Sequence, residues 1–171
     1  MTAVRIPLAV KALLGTFSLN AFAAVGQVTI IGKQLYDMTG SELYLGLLGL
    51  AEFGPVALLA PFAGATADRF DRRRIFGLAL AGEAIVSILL WSYVRSDPTS
   101  VAPIFLLVLV FGTCRAFASP AGRALPIDLC PPEVVARVVA LKSVGFQVGI
   151  IAGPVAFGFA FVADPALPYL L

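Results

Sequence analysis

The sequence has no histidine, only two cysteines and one tryptophan, and just 13% of its 171 residues are charged. Each shortage excludes something. Without histidine there is no imidazole to activate a serine or cysteine nucleophile and none to ligate a metal. Cys114 and Cys130 are not at ligand spacing, and sixteen helical residues would hold them about 24 Å apart, against the roughly 7 Å a disulfide tolerates. No metal, cofactor or enzymatic chemistry is therefore expected, and no nucleic-acid partner. The scarcity of charge sets the broad class. A soluble domain is about 25% charged and 45–50% apolar. This chain is 60% hydrophobic with a mean hydropathy of +0.97, so its natural solvent is lipid.

Five apolar stretches, at about 10–34, 43–66, 75–94, 101–124 and 141–163, are each long enough to span a bilayer as a helix. The expected fold is all-α: a single polytopic membrane bundle over residues 1–171. The basic residues sort by side. Arg5 and Lys11 precede the first stretch, Arg69, Arg72, Arg73 and Arg74 lie between the second and third, and Arg137 and Lys142 lie between the fourth and fifth. The other side holds only Lys33 and Arg95, with Asp37, Glu42, Asp97 and Asp164. Excess positive charge stays in the cytoplasm, which predicts a cytoplasmic N-terminus. A cleaved signal peptide ending near Ala21-Phe22-Ala23 is the competing reading, but Thr16, Ser18 and Asn20 interrupt its apolar region.

Ionisable groups inside a bilayer cost at least about 2.5–3.5 kcal/mol each on insertion scales and usually face a cavity or a partner. The first stretch carries Thr16, Asn20 and Gln27 on one helical face. The second has Glu52, the third Glu83, the fourth Arg115 and the fifth Gln147. For Asn20 and Gln147, helix association and a solute pathway are equally open, since polar side chains also hold helices together. Arg115 stays charged and needs an acid or water, with Glu52 and Glu83 the candidate partners. A carboxyl that changes protonation state would also serve proton coupling. Glu83 lies close behind the arginine cluster and could instead sit near the interface.

Gly145, Gly149 and Gly153 form a small-residue face on the fifth stretch, and Pro154 should bend or loosen the helix there. The tetrapeptide GPVA occurs at Gly54–Ala57 and again at Gly153–Ala156. If three stretches are repeated by the next three, the second and fifth correspond, and Gly/Pro-interrupted segments in matching places point to a transporter's repeat interface.

The segment GATADRFDRRR resembles the loop signature G-x-x-x-D-R-x-G-R-R between helices two and three of the major facilitator superfamily. Gly64, Asp68, Arg69, Arg72 and Arg73 match it, and Asp71 stands where Gly is usual. Ala118–Ser143 is similar to the segment joining helices four and five in the branch of enterobactin exporters and macrolide-efflux-like permeases, and Tyr36–Ser41 to its outer loop. GIIAGPVAFG resembles the antiporter motif G-x-x-x-G-P-x-x-G-G through Gly149, Gly153, Pro154 and Gly158, with Phe157 replacing a glycine.

The resemblance implies twelve helices in two halves, with a solute site between the halves that opens to each side in turn. It implies that Asp68 caps a helix of the other half, that Arg69, Arg72 and Arg73 share a charge relay with Asp128, and that Gly64 lets the partner helix come close. The expected function is proton-coupled efflux of a drug- or siderophore-like solute across a bacterial inner membrane, with lipid, solute and protons as partners. Five stretches are less than half of such a carrier. The chain is therefore expected to be the N-terminal portion of one, needing a missing C-terminal half. Two alternatives stay open: a half-carrier completed by a second chain, and a non-transporting membrane scaffold for which the charged loop is only an anchor.

Overall fold

The structure is a computed structural model that describes residues 6–171, the side chain of Ile127 excepted, so Arg5 lies outside it. Five long helices follow one another: α1 (Leu8–Thr39), α2 (Glu42–Arg69), α3 (Arg72–Val94), α4 (Ala102–Leu129) and α5 (Pro132–Ala163), with a final 3₁₀ turn at Leu167–Leu170. All five are long and apolar enough to cross a membrane. The chain is an integral membrane protein. The helices outrun the apolar stretches, most of all at α5, which begins nine residues earlier. Its added turns carry Glu133 and Arg137 but bury Val134 and Val138, so one face packs while the other stays polar.

Local chemistry explains where the helices start and stop. Gly40 closes α1 in the left-handed region at φ 62°, donating its N–H to the Tyr36 carbonyl, a conformation glycine adopts without a Cβ penalty. Asp71 caps α3, its carboxylate accepting from the backbone N–H groups of Arg73 at 2.8 Å and Arg74 at 3.4 Å. Pro132 opens α5, where a missing N–H costs nothing. The connections α1–α2, α2–α3 and α4–α5 are too short to do anything but reverse direction. The α2–α3 and α4–α5 connections thus share one end of the bundle, called the basic end below.

Packing is pairwise: α1 runs along α5, α2 along α4, and α3 along α4. The first two pairings exchange if α1 is swapped with α4 and α2 with α5, the correspondence that the two GPVA segments suggest. The α1–α5 contact is backbone-close. A Cβ built on Gly149 would stand 2.8 Å from the Ser18 carbonyl oxygen and 2.9 Å from the Phe22 nitrogen, and Gly145 and Gly153 are just as crowded against Ser18 and Phe22. Gly26 of α1 reciprocates by receiving the Phe157 ring, which meets Phe22 edge-on at 5.6 Å. Gly158 has open space and takes no part in this contact. Pro154 does not break α5, which continues to Ala163.

Large apolar side chains such as Leu43, Leu58, Phe62, Leu78 and Phe159 project outward, as expected where the surroundings are acyl chains. A core of Ile31, Leu35, Val86, Leu90, Ile104 and Val108 fills the end opposite the basic one. A smaller cluster around Phe76, Ala121 and Leu125 fills the basic end. Replacement of Gly149 by valine should force α1 and α5 apart and destabilise by about 1–3 kcal/mol, as overpacking does. Gly64→Val, at a site with open space, should leave stability unchanged. Thermal unfolding in detergent reads both, and equal effects would refute the seam.

Candidate functional site

The polar side chains of the helices converge rather than scatter. Asn20 of α1 donates from Nδ2 to Glu83 Oε2 of α3 at 2.6 Å. One helical turn or two along, Ser87 Oγ lies 2.8 Å from Gln27 Oε1 and 3.0 Å from the Glu83 carbonyl, so its single proton serves one of them at a time. Gln27 and Glu83 are only 4% and 6% exposed. Each nevertheless has one atom with no protein partner, Gln27 Nε2 and Glu83 Oε1. A buried polar atom left in that state calls for an occupant such as water, a proton or a solute group. Thr16, by contrast, turns to its own helix and bonds the Ala12 carbonyl, so the face it shares with Asn20 and Gln27 does not act as a unit. Glu83 is buried among the helices.

Arg115 of α4 donates from Nη1 to Glu52 Oε1 of α2 at 2.5 Å. Gly112, one turn before Arg115, makes this possible: its backbone meets the Glu52 carbonyl so closely that no side chain fits between. Glu52 is buried while Arg115 keeps part of its surface free. The acid therefore stands behind the base and holds it towards the interior space.

That space is a cavity of about 670 Å³ among α1, α3, α4 and α5. It runs from Asn20, Glu83 and Arg115 to Arg123 and Lys142 near the basic end, with Gln147 on its α5 wall. Glu52 does not line it. A second cavity, of about 430 Å³, lies towards the opposite end around Gln27, Ser87 and Tyr169. Tyr169 closes part of it, donating its buried hydroxyl to Gln34 Oε1 at 2.6 Å. Asn20, Ala24 and Glu83 line both cavities. The Asn20–Glu83 hydrogen bond thus forms the partition between them.

At the basic end, Arg72 bridges two elements. Its Nη1 donates to both Asp128 oxygens at 2.9 and 3.0 Å, its Nη2 lies 3.5 Å from Asp68 Oδ1, and its Nε donates to the Ala67 carbonyl at 3.1 Å. Both Asp128 oxygens are reached from one nitrogen, a charge-assisted contact, while the other two nitrogens tie the guanidinium to the end of α2. Arg69 and Arg73 are exposed, and Arg74 reaches only Asp71, at 4.0 Å. The close approach expected at Gly64 is not met by any described helix, since a Cβ there would touch nothing within 4 Å. Asp68 is likewise exposed and caps no described helix. Both cysteines are free thiols, with Cys114 Sγ packed over Gly82.

Sequence reasoning overlooked several contributors. Lys142 donates to the Gly122 carbonyl at 2.8 Å and Arg123 to Ser119 Oγ at 2.7 Å, and neither was separable from a topogenic charge. Ser87, Gln34 and Tyr169 give no pattern of their own. Asp71 could have been found, because an aspartate just before a helical run is an N-cap signal.

Residues 12–167 match the family described as the Major Facilitator Superfamily. Among curated proteins, the chain is 31% identical over 166 residues to "Tetracycline resistance protein, class C" of Escherichia coli, covering 92% of this chain and 39% of that protein. It is 27% identical to "Staphyloferrin A transporter" of Staphylococcus aureus, covering 69% and 30% respectively. It is 32% identical to "Macrolide efflux protein A" of Streptococcus pyogenes, covering 67% and 28%. The chain thus spans well under half the length of these relatives. No solved structure matches it.

Breaking the Glu52–Arg115 pair from one side should cost more than removing it altogether, because Arg115 is left charged and only partly solvated with no acid beside it. Glu52→Gln is expected to lower stability by up to about 3 kcal/mol, and the Glu52→Gln/Arg115→Gln double variant to recover most of that loss. Thermal unfolding of the single and double variants closes the cycle, and additive losses would contradict the pairing.

Proposed function

The chain belongs to the Major Facilitator Superfamily, a family of transporters rather than enzymes, and from that premise we propose that it forms part of a carrier exporting a small drug-like or siderophore-like solute in exchange for protons. The partition between the two cavities is the observation that carries this reading. A carrier must hold a path that opens to one side at a time, and the simplest physical form is two cavities separated by a contact that can be broken. Here the contact is one hydrogen bond between Asn20 and Glu83. Its acceptor is a carboxylate with a second, unpartnered oxygen. A proton on that oxygen changes what the carboxyl can accept, so protonation and the integrity of the partition are coupled through one side chain.

In this reading the basic end faces the cytoplasm of a bacterial cell, following the placement of Arg69, Arg72, Arg73, Arg74, Arg137 and Lys142. The larger cavity is then the solute's entry from inside. Arg115, held by Glu52, and Gln147 contribute its polar wall. Asp68, Arg69, Arg72, Arg73 and Asp128 act as a conformational latch, in which Arg72 already holds Asp128 while Asp68 is left for a helix outside the described bundle. Gly149, Gly153 and Pro154 keep α5 close against α1, the seam on which such a carrier would rock. Further helices, in the same polypeptide or in a second chain, complete the path, consistent with relatives of which this chain spans 39% or less. Export is favoured over uptake by the resemblance of the α5 motif to that of antiporters.

The test uses everted vesicles containing the full-length protein, in which solute addition is read as collapse of an imposed pH gradient. Glu83→Gln should abolish proton exchange while leaving the protein in the membrane, and Asp68→Asn should abolish turnover. Arg74→Gln should behave as the parent. Proton exchange at the parental rate in Glu83→Gln would defeat the coupling assignment.

A further inference from the structure

The basic end of the larger cavity carries charge that nothing among the described residues balances. Lys142 stands well inside α5, with its ammonium 4.0 Å from the centroid of the Phe17 ring and donating to the Gly122 carbonyl. That carbonyl lacks its usual α-helical donor, because the residue four positions on is Pro126, which has no N–H. Lys142 fills the resulting gap with one of its three donors and keeps two. Arg123 lies one turn from Ser119 and turns back along α4 to reach its hydroxyl, away from the basic end.

A basic residue that only orients a membrane protein extends towards headgroups and water. Arg123 does the reverse, and Lys142 is spent on a backbone carbonyl of the neighbouring helix. Neither has an acidic partner among the described residues; Lys11, Arg69, Arg73, Arg95 and Arg137 have none either but do not line the cavity, and Arg115, the third base that does, has Glu52. The acid that faces them in the cavity is Glu83, already bonded to Asn20, and Glu52 is engaged by Arg115. The cavity lining therefore holds three bases, Arg115, Arg123 and Lys142, against one acid. Its other walls are apolar and aromatic: Phe17, Phe76 and Phe146.

We propose that Arg123 and Lys142 form a head-group subsite for an organic anion, a carboxylate, sulfonate or phosphate borne on an apolar body that lies along Phe17, Phe76 and Phe146. The inference rests on reading the cavity as a solute path. A guanidinium and an ammonium with spare donors bind such a head by charge-assisted hydrogen bonds, and a cavity of about 670 Å³ accepts a body of drug size. A water-soluble solute and an anionic lipid share this chemistry, and the proposal commits to the solute.

The experiment places the full-length protein in phosphatidylcholine nanodiscs and compares anilinonaphthalene sulfonate, an aromatic anion, with ethidium, an aromatic cation. The anion should bind, and the cation should not displace it. Arg123→Gln, which loses only an exposed side chain and its Ser119 contact, should weaken anion binding about tenfold or more, by the loss of a charge-assisted bond. Lys142→Met should do the same, and Lys142→Arg should restore binding even if Lys142→Met folds poorly. Arg74→Gln, outside the cavity, should bind as the parent does. Equal binding of both dyes, or indifference to Arg123→Gln, overturns the subsite. Displacement of the probe by phosphatidylglycerol but not by soluble benzoate overturns the choice of solute over lipid. Transport without preference for anions would refute the subsite alone, and anion binding by a protein that transports nothing would refute the transport reading alone.

Discussion

A guanidinium keeps its proton on entering hydrocarbon, so a fold that carries one mid-helix must supply the counter-charge from within. Arg115 imposes that requirement, and Glu52 meets it. Much of the architecture follows. Glu52 can reach only if α2 and α4 lie nearly in contact, which explains why Gly112 has no side chain where the two backbones meet. With Glu52 committed, Glu83 is left to Asn20, and the side chains of α3 and α1 meet across the interior although the two helices do not pack directly. The two acids thus have different tasks although both are buried. One is spent on holding a base in place, and the other stands between two cavities with an oxygen to spare.

A second constraint comes from proline. Pro55, Pro61, Pro120, Pro126 and Pro154 lie inside helices that lipid surrounds. Each removes an N–H and frees the carbonyl four residues earlier, and lipid offers no replacement donor. At Gly122 the replacement is Lys142, a side chain from the neighbouring helix. Pro154 follows Gly153 directly, at the point where the backbone of α5 meets that of α1. At these two places a proline lies where one helix meets its neighbour.

The helical count, the membrane class and the family were legible from composition, apolar run length and the spacing of Gly64, Asp68 and the arginines, because those signals are local. So was the small-residue face of α5, although sequence spacing could not say that α1 was the helix it met. What was not legible depended on distance in the chain. Arg115 needed an acid and the sequence offered two, and only the α2–α4 crossing selects Glu52. Gln27 and Thr16 shared a helical face, yet one is buried against Ser87 and the other bonds its own backbone. Gly64 read as a contact because the family implies one, and within the described helices the space beside it is open.

The α1–α5 seam also has a history in time. Ser18 is synthesised roughly 130 residues before Gly149, which at about 5–20 residues per second leaves α1 without its partner for roughly six to twenty-six seconds. During that interval the crowded stretch from Ser18 to Gly26 presents bare backbone and small side chains to whatever lies beside it at the point of insertion. Asn20 and Gln27 meanwhile wait for α3 before they can bond. α1 is therefore among the last helices to be finished: its polar side chains must be sheltered by the insertion machinery until α3 arrives, and its crowded backbone face until α5 does.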